Sequence, residues 1–173
     1  LIMGICGGFQ MLGNIIRDPE NVEGKNIEST GLGLFDLETI FESEKRTRQV
    51  ELTTVESSIF TAGLTCQGYE IHMGRTTFKT PYLSLFTSPA DENPMNFGII
   101  NQGGTVLGTY LHGFFDNNPF RQKLLCYIRE QRNVDNPTKP FDYTQFRQNE
   151  LDRLCELLTD SVNMKEVSKI IGV

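Results

Sequence analysis

Leu1-Ile2-Met3-Gly4-Ile5-Cys6-Gly7-Gly8-Phe9-Gln10-Met11-Leu12-Gly13 is the stretch whose reading decides the fold. Leu1 to Ile5 is a short apolar run of the kind found in a buried parallel strand, and Phe9 to Ile16 has helical character. Between them, Gly4-x-Cys6-x-Gly8 matches Gly-x-nucleophile-x-Gly, the elbow in which a sharp strand-to-helix turn exposes the nucleophile while glycines admit close backbone. An isolated cysteine is more often a buried core thiol, but glycines on both sides and a helix behind favour a nucleophile. The unpaired N–H groups at the helix start favour the thiolate, and the Gly7 N–H is placed to donate to an oxyanion formed in acyl transfer.

Working outward, 173 residues with 38% hydrophobic content suit one domain over 1–173. No apolar run approaches the roughly 20 residues that span a bilayer, so a protein without membrane contact, in the cytoplasm, is expected. A net charge of −6 without a basic run argues against a nucleic-acid partner. Cys6, Cys66, Cys126 and Cys155 include no C-x-x-C pair, so no metal site is expected and the last three read as core thiols. Leu1 to Ile5 reads as a central strand with nothing before it. Strands upstream of Leu1 are therefore expected in the same sheet, and this fragment is expected to self-associate through the uncovered edge.

Arg17 to Thr30, broken by Pro19 and Gly24, reads as a surface loop before the apolar Leu34 to Phe41. Gly31-x-Gly33 lacks the third glycine of a dinucleotide fingerprint, because Asp36 stands there. From Thr47 to Phe86 the apolar and polar residues alternate over short runs in strand-like fashion, with Val50, Leu52 and Val55 in one run and Tyr69, Ile71 and Met73 in another. Phe97 to Ile100, a glycine turn and Val106 to Leu111 predict a β-hairpin ending at His112. Asn118-Pro119 reads as the start of a helix burying Phe120, Leu124, Leu125 and Ile128. Leu151, Leu154, Leu157 and Leu158 predict a second core-facing helix, and Asn163 with Glu166 a capping box.

Only His72 and His112 are available as a base for Cys6. His112 follows Gly108-Thr109-Tyr110-Leu111, at a strand end on the edge where the elbow presents the thiol, and a nucleophilic cysteine needs an imidazole within reach.

Three motifs, Gly4 to Gly13, Gly68-Tyr69-Glu70-Ile71-His72-Met73-Gly74-Arg75-Thr76 and Gly108 to Asp116, carry a resemblance over nearly the whole chain. Together they resemble the glutamine amidotransferase domains of the cobyric acid synthase branch of the class I superfamily. The resemblance implies an α/β, flavodoxin-like mixed sheet flanked by helices, and acyl transfer from glutamine: Cys6 attacks the amide, His112 protonates the ammonia, and water hydrolyses the thioester. It implies that Gln10, Ile71 and His72 border the substrate. Where many relatives have His-x-Glu, Phe114 stands here, which leaves Glu70 or Asp116 as the orienting carboxylate. The resemblance further implies an amino-terminal synthetase domain with ATP and Mg that amidates corrin carboxylates; no phosphate loop occurs in this chain, so that domain is absent from it. Cobyrinic acid diamide synthase, the lipid II amidotransferase, a cysteine hydrolase and a silent docking domain are the competing readings.

Overall fold

A computed structural model describes residues 1–88, 97–137 and 139–172. The chain clusters into two compact units, residues 1–137 and 138–173, although length alone favours one domain.

In the first unit, β1 (Ile2–Ile5) leads through Cys6 into α1 (Gly7–Met11). α1 is shorter than the helix expected to Ile16, because Ile15 and its neighbours are captured by a sheet. β2 (Ile15–Arg17) pairs antiparallel with β3 (Glu28–Thr30) and parallel with β4 (Leu37–Thr54), so the expected surface loop is flanked by strands. β4 forms a long antiparallel ribbon with β5 (Thr65–Phe78). Next come β6 (Leu83–Ser84), β7 (Phe86–Thr87), β8 (Gly98–Ile100), β9 (Val106–Thr109) and β10 (Leu111–His112). A 3-10 turn, Phe114–Asp116, precedes α2 (Asn118–Gln131).

Among the described residues these strands form two mixed sheets, one ordered β1-β9-β8-β6 and the other β10-β5-β4-β2-β3, with β7 paired to β4. The β8–β9 hairpin is as the sequence predicts, its turn closed by Gly104 at φ +66° and by the Asn101 side chain accepting from Thr105 and Val106. Tyr110 alone separates β9 from β10, so the chain passes from one sheet into the other within a single residue. Two apolar clusters fill the unit, one around Phe60, Phe86, Phe114 and Phe120, the other around Phe9, Phe35 and Tyr110.

Several expectations need correction. Position Asn117, not Asn118, caps α2, and its side chain bonds the carbonyls of Gln67, Gly113 and Phe114. Phe120 and Leu124 are buried as expected, whereas Leu125 is 37% exposed. On β5 the polar Glu70 and His72 are the buried pair, since they find partners inside, whereas Tyr69 is exposed and Ile71 and Met73 line a cleft. Cys66 is a core thiol that burial pushes up to about 12, but Cys155 is exposed.

The second unit contains α3 (Tyr143–Ser161) and α4 (Met164–Ile171). Asp142 caps α3 by accepting from the Gln145 N–H, and Asn163 caps α4 by accepting from that of Glu166. Leu151, Leu154, Leu157 and Leu158, expected to face a core, are exposed.

Candidate active site

The elbow forms, and its strain falls on the cysteine. Cys6 has φ +53° and ψ −115°, a conformation that a side chain bearing Cβ adopts only when the surroundings impose it. On one side, the Cys6 N–H donates to the Thr109 carbonyl at 2.9 Å, continuing the β1–β9 pairing. On the other, its carbonyl accepts from Phe9 and Gln10, which leaves the N–H groups of Gly7 and Gly8 without a helical partner. Since α1 has only five residues, those local N–H groups, and not a long helix dipole, are what the turn offers an anion.

Parallel pairing of β1 with β9 sets Ile5 opposite Thr109, so the chain after β9 carries His112 toward the thiol. The two meet on one oxygen. The Cys6 thiol donates to the Ile71 carbonyl at 3.3 Å, and His112 Nε2 lies 3.2 Å from the same atom. A carbonyl only accepts, so Nε2 carries the hydrogen in this arrangement. Gly68 makes the approach feasible, because a Cβ there would collide with the His112 carbonyl and Leu111.

Gln10, four residues after Cys6, is buried and donates from Nε2 to the Met73 carbonyl at 3.1 Å. A cavity of about 320 Å³ opens beside it, lined by Cys6, Gly7, Gln10, Ile71, His72 and Met73, together with the charged Glu23 and Lys45 and the ring of Phe41. That size lies near the lower end of small-molecule sites, roughly 300–1,000 Å³. The structure thus gathers Cys6, Gly7, Gln10, Ile71 and His72 around one cleft, with His112 joined to it through the Ile71 carbonyl.

Glu70 is placed differently from the role expected for it. Its carboxylate takes Arg48 on one oxygen and His72 Nε2, at 2.9 Å, on the other. Burial opposes its ionisation, but the hydrogen bonds from His72 and Arg48 outweigh that and hold the carboxyl below its usual range. Among the described residues no carboxylate bonds His112, and Asp116 is exposed in the 3-10 turn. Sequence reading missed Arg48, Tyr110, Glu23 and Lys45. For Arg48 a signal existed: period-two alternation in β5 sets Glu70 and His72 on one face, and a buried carboxylate needs a cation across the strand pair.

Comparisons with known proteins place the chain in a family. The sequence profile of the family described as CobB/CobQ-like glutamine amidotransferase domain matches residues 1–120. A cobyric acid synthase of Clostridium tetani is 37% identical over 175 residues, covering 99% of this chain and 34% of that protein. One from Dehalococcoides mccartyi is 38% identical, with 99% and 34% covered. The chain therefore spans about a third of the length of the curated relatives it matches. A solved structure titled "Structure of PurLQS from Thermotoga maritima" superposes with a TM-score of 0.52 and 22% identity, covering 74% of this chain and 62% of that one. This likeness concerns the fold, a mixed α/β arrangement of sheets flanked by helices. Among the described residues no helix is long and apolar enough to cross a membrane.

Proposed function

The chain belongs to the family of CobB/CobQ-like glutamine amidotransferase domains, and from that premise we propose that it is the glutamine-hydrolysing part of a cobyric acid synthase. The observation that carries the reading is the convergence of Cys6 and His112 on the carbonyl of Ile71, a residue that lines the cleft with Cys6.

In this reading His112, with its hydrogen moved to Nδ1, takes the thiol proton at Nε2. The sulfur adds to the side-chain amide carbon of glutamine, and the Gly7 N–H stabilises the oxyanion, a contact worth about 3 kcal/mol. His112 returns the proton to the departing ammonia, and a γ-glutamyl thioester remains on Cys6. Water then cleaves the thioester, releasing glutamate and restoring the thiol. Gln10 borders the reacting end. Glu23 and Lys45, of opposite charge on the cavity wall, suit the α-ammonium and α-carboxylate of a free amino acid.

The ammonia would serve a synthetase domain outside this chain that uses ATP and Mg to amidate corrin carboxylates. Support for that partner is the relatives' name and their threefold greater length. A cytoplasmic location follows from the same reading.

The test uses the chain itself with 6-diazo-5-oxo-L-norleucine, a glutamine analogue that alkylates thiols, and locates the adduct by mass spectrometry. Labelling at Cys6, slowed by added glutamine and absent in Cys6→Ser, is expected. Labelling spread over all four cysteines and indifferent to glutamine would refute glutamine recognition.

A further inference from the structure

Behind the cleft, β5 loses its regular support where it is needed most. Its ladder with β4 runs unbroken from Thr65 to Met73, but Met73 faces Lys45 while Arg75 faces Ile40, so residues 41–44 of β4 bulge out opposite Gly74. Gly74 itself sits at φ +87°, and a Cβ there would run into the Ile40 carbonyl. Met73, whose carbonyl holds Gln10, therefore lies at the edge of the bulge, and Ile71, whose carbonyl holds Cys6 and His112, lies two residues before it.

Side chains take over where the ladder fails. His72 Nδ1 lies 3.1 Å from the Gly74 carbonyl and Nε2 lies 2.9 Å from Glu70 Oε1, so one ring bridges the last regular residues and the bulge. Because the Gly74 carbonyl and the Glu70 carboxylate both only accept, Nδ1 donates to the first and Nε2 to the second. Glu70 is in turn anchored across the strand pair by Arg48, its direct neighbour in register. The His72 ring stacks on Tyr110 at 4.0 Å between centroids and 20° between planes. The Tyr110 hydroxyl in turn shares a hydrogen bond with that of Thr76.

We propose that His72, held by Glu70, is a positioning residue that fixes the Ile71 and Met73 carbonyls and thereby aligns Cys6, His112 and Gln10 for glutamine. The proposal rests on the glutaminase reading and adds to it a role for the buried pair. Stability alone is a weak reason for such a pair, since burying charges costs about as much as their attraction returns and apolar side chains would fill the same space. Orientation is what a ring with two fixed hydrogen bonds supplies and an apolar side chain does not.

The test compares His72→Phe, His72→Asn and Glu70→Gln with the unaltered chain, each shown to be folded by its thermal transition. His72→Phe keeps a ring against Tyr110 and removes both polar contacts; His72→Asn keeps an N–H near the place of Nδ1; Glu70→Gln keeps the shape of the carboxylate and removes its charge. Two labelling rates at Cys6 are measured, with the diazo-ketone glutamine analogue and with iodoacetamide, which needs no substrate pocket. His72→Phe and Glu70→Gln are expected to slow the analogue roughly 10- to 100-fold and to change iodoacetamide labelling less than about threefold, with partial recovery in His72→Asn. Variants that react with the analogue as fast as the unaltered chain overturn the proposal. So does a parallel loss with both reagents, which marks a purely structural role. If the unaltered chain itself shows no preference for the analogue that glutamine suppresses, the glutaminase reading falls first and this one with it.

Discussion

At the residue scale, the site depends on two side chains held in unfavourable circumstances. Cys6 occupies a strained backbone conformation at positive φ, and Glu70 is fully buried as a carboxylate. The second has a consequence for acid stability whose sign follows from its partners. His72 and Arg48 hold the folded carboxyl below its ordinary 4.5, so its contribution to stability is present above that value. It is lost as pH falls through the lower folded value, where the carboxyl takes up a proton. Glu70→Gln should therefore be less stable than the unaltered chain at neutral pH, with the difference in urea midpoint narrowing below about pH 4.5. Equal gaps at neutral and acid pH would show that Glu70 is not ionised in the folded state. Asp18 adds to the same acid limb: burial opposes its ionisation, but N–H groups of Glu23, Val22 and Gly24 lower it.

At the element scale, the seat of α1 is built from glycine. Gly4 and Gly108 stand opposite each other in the β1–β9 ladder. A Cβ on Gly4 would come within 2.5 Å of the Gly8 carbonyl oxygen, and one on Gly108 would enter the Phe9 ring. Gly108→Ala should cost about 1–3 kcal/mol in urea unfolding, because the ring of Phe9 has no free space to retreat into. Gly8 differs: nothing lies within 4 Å of a Cβ there, so Gly8→Ala should be neutral or stabilising by up to about 1 kcal/mol in its helical position. The elbow pattern in the sequence treats Gly4 and Gly8 alike, and only packing tells them apart. The same division between local and distant information governs what was legible. The elbow, the β8–β9 hairpin and the strand end at His112 are written in local glycine and apolar spacing, and so the approach of His112 to the elbow was legible. The length of α1 was not, since pairing of Ile15–Arg17 with β4 overrides the helical pattern. Nor was the inward face of β5, because Glu70 and His72 are buried only by virtue of Arg48 and Tyr110, which lie 22 and 38 positions away in the sequence.

At the scale of the whole molecule, every residue assigned to the cleft lies within residues 1–137, and the family profile matches residues 1–120. The two apolar clusters that support the site are likewise built from residues no later than Ile128. In contrast, α3 carries four leucines that are all exposed, and neither it nor α4 buries a residue. The first unit therefore contains its own core and all of the proposed chemistry. A chain ended at Pro137 should fold with a cooperative transition and keep glutamine-protected labelling of Cys6 within about twofold of the full chain, as expected for a compact unit that closes its own core. Loss of that protection with the fold retained would assign the second unit a part in holding glutamine; loss of the fold would show that α3 and α4 are needed to stabilise residues 1–137.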